Sequence, residues 1–173
     1  MNIRALLGLP LNLVALLTRR IASPLAPALS SGIAYRSATT MSIDSSKMSV
    51  LEAPLQPLTK EGDSSHPTGY QRDGYCWGIR QDPGQHYVGA VVTDEFLRFS
   101  KENGNDLMTP RPGFAGLKDG CKWCLCVNRW KEALTASDRL GERVVPRVDL
   151  SATALASLKT LKMEDLQKHS VSK

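Results

Sequence analysis

A small α+β domain is what this sequence predicts: a mixed or antiparallel sheet with a few short helices packed on it, in a loop-rich chain. Three observations lead there. The stretch 121–130 reads as a strand running directly into a helix. The stretch 86–92 reads as a buried strand followed at once by a capped helix. Between them, glycine and proline fall at turn positions, with no internal repeat and no coiled-coil heptad.

The first of these holds three of the four cysteines and two of the three tryptophans. On a strand, side chains alternate between faces. Cys121, Trp123, Leu125 and Val127 then form an apolar face, while Lys122, Cys124 and Cys126 share the other. Asn128 is a good helix N-cap, and residues 128–136 read as a short helix with Trp130, Ala133 and Leu134 on one side.

The second, residues 86–92, is rich in β-branched residues. Thr93 caps the helix after it, Asp94 and Glu95 occupy the first turn where the helix dipole favours negative charge, and Gly104 is placed to end it. The predicted helix covers 93–103. Residues 105–120 form a long loop stiffened by Pro110 and Pro112; a loop of this length in a compact domain is usually functional or a covering flap. Residues 50–55 and 143–148 read as edge strands, the former limited by Pro54. Ser151 caps a predicted helix to 158, and 163–169 reads as a final helix, with His169 at its C-terminus where a charged imidazole is favoured. His66, in a loop before a proline, reads as a solvated histidine.

Composition narrows the function. The chain has 173 residues, enough for one ordinary domain, and a formal net charge of +5. Residues 1–47 carry five Lys and Arg against one Asp, whereas the remainder has 17 basic and 16 acidic residues. The folded part is therefore nearly neutral, without the basic stripe that nucleic acid requires. Residues 1–43 contain no acidic residue, and Arg19 and Arg20 follow the apolar run 5–17. That order fits a mitochondrial targeting segment over 1–47, ahead of a domain at 48–173 with its core at about 50–169. The run is too short, and too interrupted by Gly8 and Pro10, to span a membrane. Met41 and Met48 are alternative starts that would give a cytoplasmic form. In a reducing matrix the cysteines are expected as thiols or metal ligands rather than disulfides.

Several motifs occur in a fixed order: Thr68-Gly69-Tyr70-Gln71-Arg72-Asp73-Gly74-Tyr75-Cys76, His86, Thr93-Asp94-Glu95-Phe96-Leu97, Gly104-Asn105-Asp106-Leu107-Met108-Thr109-Pro110-Arg111-Pro112, and Trp123-Cys124-Leu125-Cys126 with Arg129-Trp130. In these the chain resembles the domain of unknown function 2237 family, a small and mostly bacterial group, over about 50–169. The resemblance implies a compact α+β domain and no particular activity. It departs from the family pattern at Trp77 and near Gly89, where cysteines are often found, and at Cys121, where the family usually has another residue.

Three chemistries fit the residues. In the first, Cys76 is a reactive thiol, with His86 as its base, Asp73 orienting the imidazole and Arg72 adding positive charge. Its bland counterpart is Cys76 as a small buried residue. In the second, Cys76, His86, Cys124 and Cys126 hold zinc, the one cofactor the sequence suggests. Cys124 and Cys126 are spaced C-x-C rather than C-x-x-C, and same-face strand neighbours stand about 6–7 Å apart, which also rules out a disulfide between them. In the third, Arg72, Asn105, Asp106, Thr109, Arg111 and Arg129 bind a small polar molecule, arginine being suited to carboxylate or phosphate. The structural alternative is that Asn105 and Asp106 terminate the preceding helix and that Arg111 and Arg129 make hydrogen bonds to loop carbonyls. No P-loop, dinucleotide fingerprint, nucleophile elbow or His-Glu-x-x-His motif occurs. The reading is of an organellar protein with a Cys/His/Arg-lined pocket for a small polar ligand and thiol-dependent chemistry. The alternatives are a non-catalytic structural or interaction protein with buried cysteines, and a zinc domain.

Overall fold

The structure, a computed structural model, describes residues 45–65 and 67–171. Of the segment 1–47 expected to be a targeting sequence, residues 1–44 lie outside the described residues, as does His66, while Ser45–Lys47 forms a 3-10 turn with Lys47 over the Trp77 ring. Those described belong to one compact unit, Thr40–Lys173.

Three strands form an antiparallel sheet in the order β2-β1-β3: β1 is Val88–Val91, β2 Lys122–Leu125 and β3 Arg147–Val148. The register sets Val88 opposite Leu125 and Ala90 opposite both Trp123 and Val148. Alternation then sends these apolar side chains to one face, where they meet Phe96, Leu97, Trp130 and Leu166 in the main core. Gly89 and Cys124, paired in register, face the other way, where Cys124 joins a smaller cluster with Leu58, Cys76 and Ala152. The outer edge of β2 is covered by hydroxyls rather than by a fourth strand. Ser65 Oγ accepts from the Lys122 amide at 3.0 Å and Thr68 Oγ1 from the Cys124 amide at 2.9 Å. Those side chains satisfy edge donors that would otherwise be open to pairing with another chain.

Helix α1, Asp94–Glu102, forms as its local signals dictate: Thr93 Oγ1 accepts from the Phe96 amide at 3.1 Å, and Gly104 follows at φ 81°. Helix α2, Val127–Leu140, starts earlier than expected and runs past residue 136 to Gly141. Its N-cap is Cys126, not Asn128, and the Cys126 side chain makes no capping bond. Tertiary contact overrides the local preference here. Val127 is buried and its amide donates to the Gln85 carbonyl at 3.1 Å, so the helix begins where the chain leaves the sheet.

Other expectations change for local reasons. Residues 50–55 do not form a strand: the Ser49 amide donates to Ala53 O, closing the segment into a turn with only isolated bridges at Met48 and Ser49. The edge strand at 143–148 shrinks to β3, because Glu142–Val144 is a 3-10 turn that buries Val144. The helix from Ser151 is replaced by two 3-10 segments, Leu150–Ala152 and Leu155–Lys159. Asp149 caps the first, accepting from the Ser151 and Ala152 amides, while buried Thr153 Oγ1 accepts from the Gly89 amide at 3.1 Å and fixes the break between them. Helix α3, Met163–Lys168, ends at His169 as expected, but this histidine is only 7% exposed and stands edge-on to Trp130 at 6.0 Å. Burial pushes its pKa down, against the pull of the Glu142 carboxylate 3.6 Å from Nδ1, so the ring packs as a core residue rather than as a solvated helix end. No described helix is long and apolar enough to cross a membrane.

Candidate functional site

The antiparallel register that pairs Val88 with Leu125 carries the chain ends beyond them together. His86, just before β1, thereby meets Cys126, just after β2. Cys126 Sγ lies 3.1 Å from His86 Nε2, and His86 Nδ1 lies 2.8 Å from Asp82 Oδ1. The imidazole is therefore held between a thiol and a carboxylate. Asp82 is fully buried at its side chain, and His86 is 31% exposed.

The loop leading to His86 builds this alignment from its own sequence. Asp82 accepts from the Gly84 amide through Oδ1 at 3.1 Å and from the His86 amide through Oδ2 at 2.7 Å. It folds Pro83-Gly84-Gln85 around its own carboxylate, as Asx turns do. The Gln85 carbonyl then receives the Val127 amide and ties the loop to the start of α2. Gly84 is required by space: a Cβ there would stand 2.6 Å from His86 Cε1 and 3.0 Å from Cys126 Sγ. Tyr70 stacks on His86 at 6.1 Å, its hydroxyl donating to the Gln81 carbonyl.

With Nδ1–H donating to Asp82, Nε2 is left to accept the thiol proton. The His86 pKa is raised from 6.5 to about 9, chiefly by its hydrogen bond to Cys126; burial opposes this, and charge on Cys126 and the bond to Asp82 reinforce it. Cys126 is partly exposed and stands at the N-terminus of α2, where the helix dipole favours negative charge.

The other thiols are disposed differently from expectation. Cys76 and Cys124 are joined by a disulfide and are 0% and 1% exposed. Cys76 therefore has no free thiol for His86 to activate, and the expectation of fully reduced cysteines is corrected. The arrangement arises because Cys124, on the face away from the main core, meets the segment from Thr68 to Cys76 that lies along the edge of β2. Asp73 does not reach His86: its carboxylate accepts from Trp77 Nε1 at 2.8 Å and from the Tyr75 amide at 3.1 Å. The orienting role falls to Asp82, which in the sequence looks like one more Asp-Pro-Gly turn. The spacing of Asp82 four residues before His86 was the available signal. The zinc grouping of Cys76, His86, Cys124 and Cys126 is not formed. Two of its members are spent in the disulfide, and no metal-holding group of three His, Cys, Asp or Glu side chains occurs among the described residues.

Four of the six expected ligand-binding residues are engaged by their neighbours, three within their loop and Arg129 from helix α2. Asn105 Nδ2 donates to Ser100 Oγ at 2.9 Å. Asp106 accepts from the Met108 and Thr109 amides and the Thr109 hydroxyl, which hold its pKa far below the usual carboxylate range. Thr109 is thereby occupied, and Arg129 donates to Asn103 O and Glu132 Oε2. Arg111 also donates to the Asp106 carbonyl at 3.2 Å; it and Arg72 line cavities. Arg72 lines a cavity of about 310 Å³ together with Tyr70, His86 and Trp123. It also lines a wider cleft of about 630 Å³ shared with Arg111, Phe114, Leu117 and Trp123.

A family model described as "Uncharacterized protein conserved in bacteria (DUF2237)" matches residues 48–170, most of the chain and all of its sheet. The chain belongs to the DUF2237 family. The resemblance read from the motifs is thus shown, and with it the α+β class. No curated protein matches the chain. The departure near Gly89 has a steric basis in this DUF2237 domain, since a Cβ on Gly89 would stand 2.7 Å from Ala152 O.

Proposed function

We propose that this DUF2237 domain carries out thiol-dependent chemistry on a small polar ligand, with Cys126 as nucleophile, His86 as base and Asp82 as the group that orients His86. The supporting observation is the aligned Cys126–His86–Asp82 contact, at 3.1 and 2.8 Å, beside a cavity that His86 lines. In this reading His86 Nε2 takes the thiol proton and the thiolate attacks an acyl carbon. A carbon–sulfur bond forms, and the bond to the leaving group breaks as His86 returns the proton to it. Water then releases the acyl group by the same proton path, restoring the thiol.

Alkylation by iodoacetamide, followed by mass spectrometry in a Cys121→Ser background, tests this. Cys126 reacts at neutral pH, and its rate falls at least about tenfold in His86→Asn, which removes the base. Gly84→Ala gives a similar loss without touching a titratable group, because its methyl displaces the imidazole. Equal rates in all three proteins would mean that the contact does not activate the thiol. The buried Cys76–Cys124 disulfide favours a second reading, a structural protein, and that is the reading equal rates would leave.

For residues 1–47 we propose mitochondrial targeting. Support comes from the absence of acidic residues before Asp44 and from Arg19 and Arg20 after the apolar run. A fluorescent protein fused behind this segment is expected in mitochondria; a diffuse or secreted signal rejects the assignment.

A further inference from the structure

Arg72 and Arg111 lie at the two ends of one aromatic stack. The Arg72 guanidinium sits 5.2 Å from the centre of the Trp123 ring, and the Arg111 guanidinium 4.7 Å from that of Phe114. The two rings meet edge-on at 5.4 Å. Both arginines, both rings and Leu117 line the same cleft of about 630 Å³. Among the described residues neither guanidinium has a carboxylate partner; Arg111 donates only to the Asp106 carbonyl at 3.2 Å. Some other arginines are paired with acids, as in Arg143 with Glu95 and Arg129 with Glu132, whereas exposed Arg80 and Arg139 make no ion pair among the described residues.

Two uncompensated cations on a rigid aromatic support are set up for anion recognition. Ring faces hold the guanidinium planes and leave their N–H edges free for carboxylate or phosphate oxygens. Arg72 is held there by its backbone as well, at φ 60° in the left-handed region, within a turn closed by its amide to Gly69 O. Arg72 and Trp123 line both this cleft and the smaller cavity that His86 lines.

We infer that the cleft takes a small molecule with two acidic groups, one on Arg72 and one on Arg111, its body lying against Trp123 and Phe114. This rests on the thiol reading for what happens to the molecule, since the substrate of Cys126 would then be an acyl compound bearing two anionic groups.

The test is calorimetric titration of the folded protein with succinate and, separately, with inorganic pyrophosphate, each of which carries two anionic groups. The two arms distinguish a carboxylate ligand from a phosphate one. At least one binds, and the affinity falls about tenfold or more in Arg72→Asn and in Arg111→Gln, as expected when a focusing charge is lost. Asparagine is chosen at 72 because it tolerates the left-handed backbone. Absence of binding by both anions, or binding that survives both substitutions, overturns the inference. Failure here is separable from failure of the nucleophile reading. Arginine-dependent binding with an inert Cys126 sinks only the latter, and a His86-activated Cys126 without anion binding sinks only the former.

Discussion

Trp130→Ala destabilises the domain by about 4 kcal/mol, the usual cost of truncating a large aromatic in a closed core. Trp130 is wholly buried, its Nε1 donates to the Pro146 carbonyl at 3.0 Å, and its ring meets His169 edge-on. It lies one helical turn after Cys126, and its amide donates to the Cys126 carbonyl at 3.1 Å. Truncation therefore empties the space beneath the first turn of α2 and loosens the segment that presents the thiol. Trp130→Phe separates the two contributions. It keeps most of the packing and loses about 1–2 kcal/mol for the Pro146 carbonyl left without its donor. Urea unfolding of the three proteins measures this. A loss under about 1 kcal/mol for Trp130→Ala would mean that α2 is anchored elsewhere.

Removing the disulfide by Cys76→Ala with Cys124→Ala costs about 4 kcal/mol, from the chain entropy regained by the unfolded state. The bond spans 48 residues of sequence, a long loop whose closure restricts the unfolded chain substantially. It also holds the segment carrying Thr68, Tyr70 and Arg72 against β2, so the cavity beside His86 loses a wall when it is absent. Denaturant midpoints of the wild type with and without reductant, set beside the double variant, give the size of the effect. Alkylation of the denatured protein without reductant labels two cysteines, Cys121 and Cys126. Labelling of all four would show that the bond is absent in solution.

Much of the fold was legible because its signals are local. Thr93, Asp94, Glu95 and Gly104 define α1 within a single stretch of chain, and capping and dipole effects act over a turn or less. The alternation of Trp123 and Leu125 with Lys122 and Cys124 was enough to tell core face from far face in β2. The start of α2 was misread for the opposite reason. Asn128 has the better capping chemistry, yet a hydrogen bond from Val127 to Gln85, distant in sequence, sets the first turn.

The site followed the same division. The sequence singled out cysteine, histidine and arginine as the residues able to do chemistry, and of these the fold brings Cys126 against His86 and Arg72 into the cavity His86 lines, while Arg129 lies elsewhere, on α2. Partner choice was beyond it, because three thiols lie within reach of β2 and only the strand register sorts them. With Val88 opposite Leu125, Cys124 faces Cys76 across the edge, while Cys126 comes level with the chain just before β1 and meets His86. Residue type, charge and alternation were determined by the chain alone, since they act between near neighbours. Asp82, the carboxylate that holds the histidine, is a neighbour four residues away, but which thiol is bonded and which meets the histidine were decided by contacts 48 and 40 residues apart, which exist only once the sheet has closed.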